Sequence, residues 1–398
     1  MPRQPIRVLE LRSVRGTGGG PEKTIMLGAA QADPTEFAVT VCYIRDRRDD
    51  VFTLDKRATA LGLDYVEVEE GHSFDPSIWR ALRRLVRERG IQIVHAHDYK
   101  TDLLALLLAA REGIVPLATV HGWSGHSWRE RYCYYPADRK LLARYPRLIA
   151  VSGELKRQLV AARAPADRVT VILNAIDPDR FKWSPDLALA SRARFGWANH
   201  HRVIGAVGRL GPEKRFDLLI EAVRRVHQTN PDVRLMIAGD GQLRPDLTAL
   251  ASRLLPSGVC SILGHTDDMA SVYHAMDVFV LSSDHEGTPN AVLEAMAFTR
   301  PVVATDAGGT AELARPNEHA LIVPTGDAGQ LADAIVTVLS DPIGAQRRAR
   351  LARARVEGEL SFSTRMHAVE NIYRELVTGP GPGRGFGVLR WNRRETRA

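Results

Sequence analysis

Short apolar runs alternate along the chain with stretches in which apolar residues recur at helical spacing. Runs rich in β-branched residues predict buried strands, and their alternation with helices predicts parallel pairing. A first series of predicted strands lies at residues 6–11, 37–44, 65–68, 91–95, 115–120, 148–151 and 169–173. A second lies at residues 203–207, 233–238, 259–263, 278–281, 302–305 and 321–323. The chain therefore repeats a doubly wound α/β architecture twice.

The connecting stretch between the two series lacks a strong period and contains Pro178, Pro185 and Gly196. We therefore predict an N-terminal Rossmann-like domain over residues 1–180, a linker over 181–200 and a second domain over 201–360. The length of 398 residues suits two domains.

Composition is typical of a soluble globular protein, with 44% hydrophobic and 25% charged residues. The formal net charge of +7 favours acidic partners, such as nucleotide phosphates, anionic lipid heads or nucleic acid. No apolar run approaches the ~18 residues of a membrane span, and we expect no signal peptide. Three widely spaced cysteines, Cys42, Cys133 and Cys260, suggest reduced packing residues and a cytoplasmic location.

Two glutamates flank a predicted strand-to-helix turn at residues 284–294. Such turns lie at the carboxyl ends of parallel strands, where ligands bind and where a helix start offers free N–H groups to an anion. Glu286 precedes the bend, and Glu294 lies just over one turn into the helix. The two carboxylates could hold two parts of one elongated ligand. A solvated loop acid and a helix-surface acid are the alternative.

Two further strand ends are candidates for binding an anion. The first strand leads into a loop containing Gly19 and Gly20, whose N–H groups could approach a phosphate, although a simple tight turn would have the same sequence. The first strand of the second series leads to Arg209 and Lys214, just before a helix. These cations predict a second anion site, with a solvated basic turn as the alternative.

Histidines follow the fourth and fifth strands. Strand alternation places His95 and His97 on one face, so a zinc pair has to be considered. No third ligand stands at the usual spacing, and we predict no metal. His121 and Trp123 open an aromatic and basic stretch at 121–139, which suits an acceptor pocket or a membrane surface. A packed loop and helix would explain it equally well.

Taken together and in this order, the motifs resemble glycosyltransferase family 4, the retaining group with the GT-B fold. The segments that carry the resemblance are Gly-Gly-Gly-Pro-Glu, His-Ala-His, Gly-Arg-Leu followed by Glu-Lys, Ala-Gly-Asp-Gly, residues 286–294, and Asp-Ala-Gly-Gly-Thr-Ala-Glu. They extend over almost the whole chain and are most specific in the second domain. The resemblance implies two Rossmann-like domains facing across a cleft.

The resemblance also implies site roles. A nucleotide-sugar donor would be bound by Gly19, Gly20, Arg209, Lys214, Gly239, Leu263, Glu286, Gly287, Thr288, Pro289, Asn290 and Glu294. Of these, Arg209 and Lys214 match the diphosphate pair. Glu286 matches the group on the sugar hydroxyls, and Glu294 the group on the ribose. The catalytic set would be His121, Arg209, Lys214 and Glu286, with His97, His121 and Trp123 on the acceptor side.

By resemblance, the departing phosphate takes the proton of the acceptor hydroxyl, so neither a protein base nor a metal cofactor is expected. Asp177-Pro178-Asp179 matches a metal-binding Asp-x-Asp literally but lies in the linker, so we discount it. Asn174-Ala175 departs from the Asn-Gly common in the family. A helix at 361–378 would cross back to the first domain, followed by a flexible basic tail at 379–398.

We expect a UDP- or GDP-linked donor and a saccharide or lipid-linked acceptor in bacterial cell-surface glycan synthesis, and no nucleic-acid partner. Arginine clusters at 80–89, at 347–355 and in the tail predict peripheral contact with anionic membrane, although solvated faces are the commoner explanation. Two alternatives remain. One is a nucleotide-sugar epimerase of the same fold, and the other is a non-catalytic nucleotide-binding module.

Overall fold

The computed structural model describes residues 4–16, 18–72, 75–123 and 128–378. The predicted basic tail, 379–398, lies outside the described residues. The chain divides into two compact units. The first takes the described residues of Met1–Ala150, Lys156–Ile172 and Met366–Ala398, and the second takes Val151–Leu155 and Leu173–Arg365.

The first unit is built on a parallel sheet of seven strands. They are β1 (Ile6–Val14), β2 (Phe37–Asp46), β3 (Asp64–Glu70), β4 (Ile93–Ala96), β5 (Val115–Val120), β6 (Arg147–Ala150) and β7 (Val169–Val171). Their order is β3-β2-β1-β4-β5-β6-β7, so the winding direction reverses between β1 and β4. In open α/β sheets the ligand crevice lies at the carboxyl ends of the strands at such a reversal.

Helices of the first half of the chain connect these strands. They are α1 (Gly20–Gln31), α2 (Leu54–Ala60), α3 (Pro76–Arg89), α4 (Tyr99–Glu112), α5 (Tyr135–Leu142) and α6 (Gly153–Ala161), with a π-helical turn at Glu130–Tyr134. Aspartate caps fix two starts, since Asp75 accepts the N–H of Ser77 and Asp98 accepts the N–H groups of Lys100 and Thr101.

The second unit repeats the plan with six parallel strands. They are β8 (Arg202–Val207), β9 (Val233–Ala238), β10 (Cys260–Gly264), β11 (Val278–Leu281), β12 (Val302–Thr305) and β13 (Leu321–Val323). The order β10-β9-β8-β11-β12-β13 reverses between β8 and β11. The loops after β8 and β11 therefore flank the position where a ligand is expected.

Nine α-helices are described from residue 185 onward. They are α7 (Pro185–Arg194), α8 (Phe216–Thr229), α9 (Arg244–Leu254), α10 (Met269–Ala275), α11 (Asn290–Ala297), α12 (Thr310–Leu313), α13 (Ala328–Ser340), α14 (Pro342–Glu357) and α15 (Phe362–Thr378). From Met366 onward, α15 belongs to the first unit. There Val369 and Ile372 pack in one buried cluster with Val8 and Phe37.

These two sheets confirm the predicted pair of doubly wound α/β units. The prediction for the cysteines was wrong in one case. Cys42 is buried in β2, but Cys133 lies exposed on the π-helical turn because its neighbours there face solvent rather than a core. In the described chain, no helix is both long enough and apolar enough to cross a membrane.

Candidate active site

The predicted Lys214 and Glu286 meet at the carboxyl edge of the second sheet. Nζ of Lys214 donates to Oε1 of Glu286 at 2.5 Å, and the Ser283 hydroxyl donates to the same oxygen at 2.7 Å. The side chains of Lys214 and Glu286 are 20% and 10% exposed. A cation and a carboxylate are thus held side by side, partly shielded from water, which strengthens their interactions with a bound charge.

Arg209 lies on the same loop and stays largely in solvent. Its Nη2 donates to Oε1 of Glu213 at 2.7 Å, while its side chain is 63% exposed. Glu213 is buried, and its carbonyl accepts the N–H of Asp284 at 2.9 Å. Glu213 therefore joins the two predicted site loops. Sequence analysis missed it, although its place between Arg209 and Lys214 was a signal.

Two glycines pack directly on the Glu286 loop. A Cβ on Gly308, whose φ is +55°, would lie 1.7 Å from the carbonyl oxygen of Glu286. The N–H of Gly309 donates to the carbonyl of Gly287 at 2.9 Å. The Asp-Ala-Gly-Gly-Thr motif therefore fixes the position of the loop that carries Glu286. Sequence analysis had given that motif no site role.

Hydrogen bonds to more distant residues of the second unit hold the turn into α11. The buried Thr288 hydroxyl donates to the carbonyl of Val151, and Nδ2 of Asn174 donates to Oδ1 of Asn290 at 3.1 Å. Pro289 stands at the N-cap position, and within the described chain no side-chain hydrogen bond caps this helix start. Its first N–H groups therefore remain suited to an anion.

Glu294 projects from α11 toward a buried tyrosine that sequence analysis missed. The Tyr273 hydroxyl lies 2.8 Å from Oε2 of Glu294, to which it can donate, and 3.2 Å from the carbonyl of Ala291. Burial first, and then the Glu294 carboxylate, hold the pKa of Tyr273 well above its usual range. Tyr273 is therefore a neutral donor that orients the Glu294 carboxylate.

Close backbone contacts shape the remaining strand ends of the second sheet. A Cβ on Gly239, whose φ is +144°, would lie 1.9 Å from the carbonyl oxygen of Gly208. The N–H of Gly239 also donates to the carbonyl of Gly264 at 3.0 Å. Leu263 is the last residue of the predicted strand 259–263. In the structure it is half-buried and lies one residue before the end of β10. No side chain could replace hydrogen at Gly239 without moving this edge.

In the first unit, the glycine loop already holds a carboxylate. The N–H of Gly19 donates to Oε2 of Glu22 at 2.6 Å, and Nε of Arg12 donates to Oε1 at 2.5 Å. Burial alone would raise the pKa of Glu22, but Arg12 and the Gly19 N–H hold it below its usual range. A phosphate approaching Gly19 and Gly20 would compete with this ionised carboxylate.

The predicted acceptor-side residues follow β4 and β5. Nδ1 of His97 lies 3.2 Å from Nε2 of His121. Nε1 of Trp123 donates to Oδ2 of Asp138 at 3.0 Å, and the Arg139 guanidinium lies 4.4 Å from the Trp123 ring centroid. Burial raises the pKa of Asp138 to about 6, against the lowering effect of the Trp123 hydrogen bond. His97 and His121 thus contact one another, and Trp123 is fixed beside them by Asp138.

One group of three potential metal ligands occurs in the described part of the chain. Single ligand atoms of Glu10, His95 and His97 all lie within 4.8 Å of one another, and all three residues are buried. Each of these residues already makes hydrogen bonds. The His95 ring spans from Tyr373 to Thr119, and the Glu10 carboxylate contacts both imidazoles. The prediction that the chain needs no metal stays a prediction.

Comparisons with known proteins match both halves of the chain. Residues 18–180 match the family model described as Glycosyltransferase Family 4, and residues 201–341 match the model described as Glycosyl transferases group 1. The glycogen synthase of Mycobacterium tuberculosis is 28% identical over 359 residues, covering 87% of this chain and 82% of that protein.

Two further comparisons extend the likeness. The alpha-D-kanosaminyltransferase of Streptomyces kanamyceticus is 30% identical over 322 residues, covering 75% of this chain and 81% of that protein. The crystal structure of Anabaena Alr3699/HepE in complex with UDP-glucose superposes with a TM-score of 0.81 at 21% identity. It covers 93% of this chain and 100% of that one. This structural likeness shows a shared fold.

Proposed function

The chain belongs to glycosyltransferase family 4 and has the GT-B fold, and from this premise we propose that it transfers a sugar from a UDP- or GDP-sugar to an acceptor hydroxyl with retention. The acceptor would be a saccharide or a lipid-linked saccharide in bacterial cell-surface glycan synthesis. Support for a nucleotide-sugar donor comes from Anabaena HepE, which has been crystallised in complex with UDP-glucose.

The observation that carries this proposal is the Lys214–Glu286 pair at the carboxyl edge of the second sheet. Transfer breaks the bond from the anomeric carbon to the diphosphate, and the electron pair leaves with the phosphate oxygen. Lys214 and the exposed Arg209 supply positive charge where that negative charge develops. Glu286 would accept hydrogen bonds from the hydroxyls of the donor sugar beside the same cation.

In the retaining step, the acceptor oxygen would form its bond to the anomeric carbon on the face that the diphosphate leaves. The hydroxyl proton would pass to the departing phosphate oxygen, so that charge and protons balance without a protein base. Fixed cations replace the usual role of a metal on the diphosphate. We therefore propose that the reaction is metal-independent.

The remaining site residues would bind the ends of the substrates. Glu294, oriented by Tyr273, would hold the ribose hydroxyls. The turn of residues 287–290 would present the N–H groups of the α11 start to the phosphates, and Gly239 and Leu263 would border the base and the diphosphate. His121 and Trp123, in the first unit, would contact the acceptor, and the buried His97 would support His121 from behind.

The test is transfer by Glu286→Gln, with Glu221→Gln as the control. Glu221 is also an acid of the second unit, but it pairs with Arg224 on α8 and is partly exposed. We expect Glu286→Gln to lose at least about 100-fold in kcat/KM, since it weakens a charge-assisted contact to the reacting sugar. The control should keep its activity. Equal activity of both variants would refute the assignment.

The same assay tests the finer claims. NMR of the product should show the anomeric configuration of the donor, and EDTA should leave the rate unchanged. An inverted product would refute retention, and loss of activity with EDTA would refute metal independence. A nucleotide-sugar epimerase would instead convert the donor without any acceptor, and a binding module would turn over nothing.

We also propose peripheral contact with anionic membrane through one face of α14. Ile343 on this helix is 83% exposed and Leu351 41% exposed, and the exposed Arg347 and Arg350 lie on the same face. The other described arginine cluster, on α3, is largely neutralised. Arg83 and Arg87 there both pair with Glu112. Among the described residues, neither Arg347 nor Arg350 pairs with an acid, and an apolar side chain among such cations suits a lipid surface.

Vesicle sedimentation tests this proposal. Arg347→Glu with Arg350→Glu should weaken binding to vesicles containing phosphatidylglycerol by roughly ten-fold or more, from about 1 kcal/mol per basic residue near the surface. Arg83→Glu is unsuitable as a control because it breaks a partly buried pair, whereas Arg84→Glu on the exposed face of α3 should bind normally. Unchanged binding of the α14 variant would refute the proposal.

A further inference from the structure

A buried carboxylate lies in the first sheet at the point where the winding reverses. Glu10 on β1 is 8% exposed and pairs in register with His95 on β4. Its Oε1 accepts the Tyr373 hydroxyl at 2.7 Å, and its Oε2 contacts Nε2 of His97. His97 also contacts His121, since its Nδ1 lies 3.2 Å from Nε2 of His121. Glu10, His97 and His121 therefore form one hydrogen-bonded line, which we call the Glu10 relay.

The charges of the relay follow from its burial. Burial alone would raise the pKa of Glu10, but the adjacent His95 and His97 hold it well below its usual range. Burial and then the neighbouring His95 lower the pKa of His97 to about 4, against the raising effect of Glu10. Glu10 is therefore an ionised carboxylate, and His97 is a neutral imidazole that carries a single ring proton.

The proton positions then follow one from another. An ionised carboxylate only accepts, so Nε2 of His97 carries the proton and donates to Glu10. Nδ1 of the neutral His97 consequently has a lone pair and accepts from Nε2 of His121. We infer that Glu10, acting through His97, fixes His121 in the Nε2–H tautomer, in which Nδ1 carries the lone pair. In that form His121 accepts a hydrogen bond from a sugar or acceptor hydroxyl.

The rest of the cluster holds the carboxylate in place. His95 Nδ1 lies 2.8 Å from the Tyr373 hydroxyl, and its Nε2 lies 2.7 Å from the Thr119 hydroxyl. Tyr373 reaches Glu10 from α15, which packs against the first sheet. Glu10 and His97 are thus positioning residues, because they act on a substrate hydroxyl only through His121. This role in transfer rests on the proposed function, whereas the tautomer does not.

A divalent metal is the competing explanation for the same residues. A metal on Glu10, His95 and His97 would take a ring lone pair of His97 and end its donation to Glu10. The observed pairing leaves both carboxylate oxygens of Glu10 and both ring nitrogens of His97 engaged in hydrogen bonds. These engaged atoms favour the hydrogen-bonded line over a metal site.

The decisive measurement is ¹⁵N NMR of the imidazole nitrogens in the full chain, with His121→Gln used to identify the His121 signals among the 13 histidines. The wild type should show a protonated Nε2 and an unprotonated Nδ1 at His121. In Glu10→Gln, the Tyr373 hydroxyl and the Nδ1–H group of His95 both donate to the position of Oε1, so the carboxamide oxygen occupies that position. The carboxamide N–H₂ group therefore faces His97. That change should reverse the tautomer of His97 and, through it, that of His121.

Glu70→Gln is the matched control, since Glu70 is a buried carboxylate of the same sheet that pairs with Lys100. It should leave His121 unchanged. A wild-type His121 protonated at Nδ1, or a Glu10→Gln variant that keeps the wild-type pattern, would overturn the inference. One equivalent of bound zinc that is lost in His97→Gln would also overturn it.

Kinetics then separate this inference from the proposed function. If the protein transfers sugar, Glu10→Gln should lower kcat by about 10- to 100-fold, because His121 would then point a donor instead of an acceptor at the substrate hydroxyl, with little change in the donor KM. A reversed tautomer with unchanged kcat would overturn the catalytic role. A correct tautomer without transfer from any donor would contradict the proposed function and leave the relay standing.

Discussion

Substitution of Gly308 by alanine tests how closely the second unit holds the Glu286 loop. The Cβ would lie 1.7 Å from the Glu286 carbonyl oxygen, and Cβ contacts under 3.0 Å essentially never occur. Subtracting the first distance from the second, the loop must move by about 1.3 Å. Because Nζ of Lys214 donates to Glu286, this displacement also disturbs the ion pair between the two side chains.

The size of the effect follows from two separable costs. An alanine at positive φ costs about 1 kcal/mol of folding free energy in any open position. Overpacking against the Glu286 carbonyl adds about 1–3 kcal/mol. A displacement near 1 Å at the reacting centre lowers kcat/KM by about 100-fold. We therefore expect Gly308→Ala to be both less stable and about 100-fold less active.

Gly326→Ala is the matched control. Gly326 has φ +78° in the same unit, and a Cβ there would meet nothing within 4 Å. Both variants carry the backbone cost, and only Gly308→Ala carries the displacement. Urea unfolding and transfer kinetics should be measured on both. Equal activity of the two variants would refute the claim that Gly308 positions Glu286.

Two further predictions concern a hydrogen bond of Tyr273 and the protonation of Asp138. Tyr273→Phe removes one hydrogen bond to the Glu294 carboxylate, and hydrogen bonds to charged groups contribute about 1.5–3 kcal/mol. The KM for the nucleotide-sugar should therefore rise roughly ten-fold or more while kcat stays unchanged. A fall in kcat alone would contradict a role of Glu294 in ribose binding. Burial raises the pKa of Asp138 to about 6, so the folded protein binds this proton more tightly than the unfolded chain does. The stability that this proton adds is present at low pH and is lost as pH rises from about 4 to 6. Asp138→Asn should remove about 2–3 kcal/mol of this pH dependence from urea unfolding, and parallel curves for the two proteins would contradict it.

The apolar runs were enough to predict both sheets, because fully buried parallel strands leave a continuous signal in the sequence. The stretch 321–323 was predicted as it occurs in β13. The meeting of Lys214 and Glu286 was also predictable. Both follow strands of one parallel sheet, and the carboxyl ends of such strands share one edge.

The contacts that orient the site could not be predicted, since they join distant parts of the chain. Tyr373 meets Glu10 across 363 residues, and nothing near either residue indicates the other. Gly308 acts through a backbone approach to Glu286, which no side-chain pattern records. Glu22 occupies the N–H of Gly19, whereas sequence analysis considered only the N–H groups that the loop offers.

We propose that the second unit binds a nucleotide-sugar through Lys214, Glu286 and Glu294. The most direct test is a thermal-shift panel of UDP-, GDP-, ADP- and dTDP-sugars, with and without EDTA, on the wild type and on Glu294→Gln. A ligand at 100 times its Kd adds about 2.7 kcal/mol of stability. We predict a clear, EDTA-insensitive shift with UDP- or GDP-sugars that shrinks in Glu294→Gln. No shift with any of them, or an equal shift in the variant, would contradict the account.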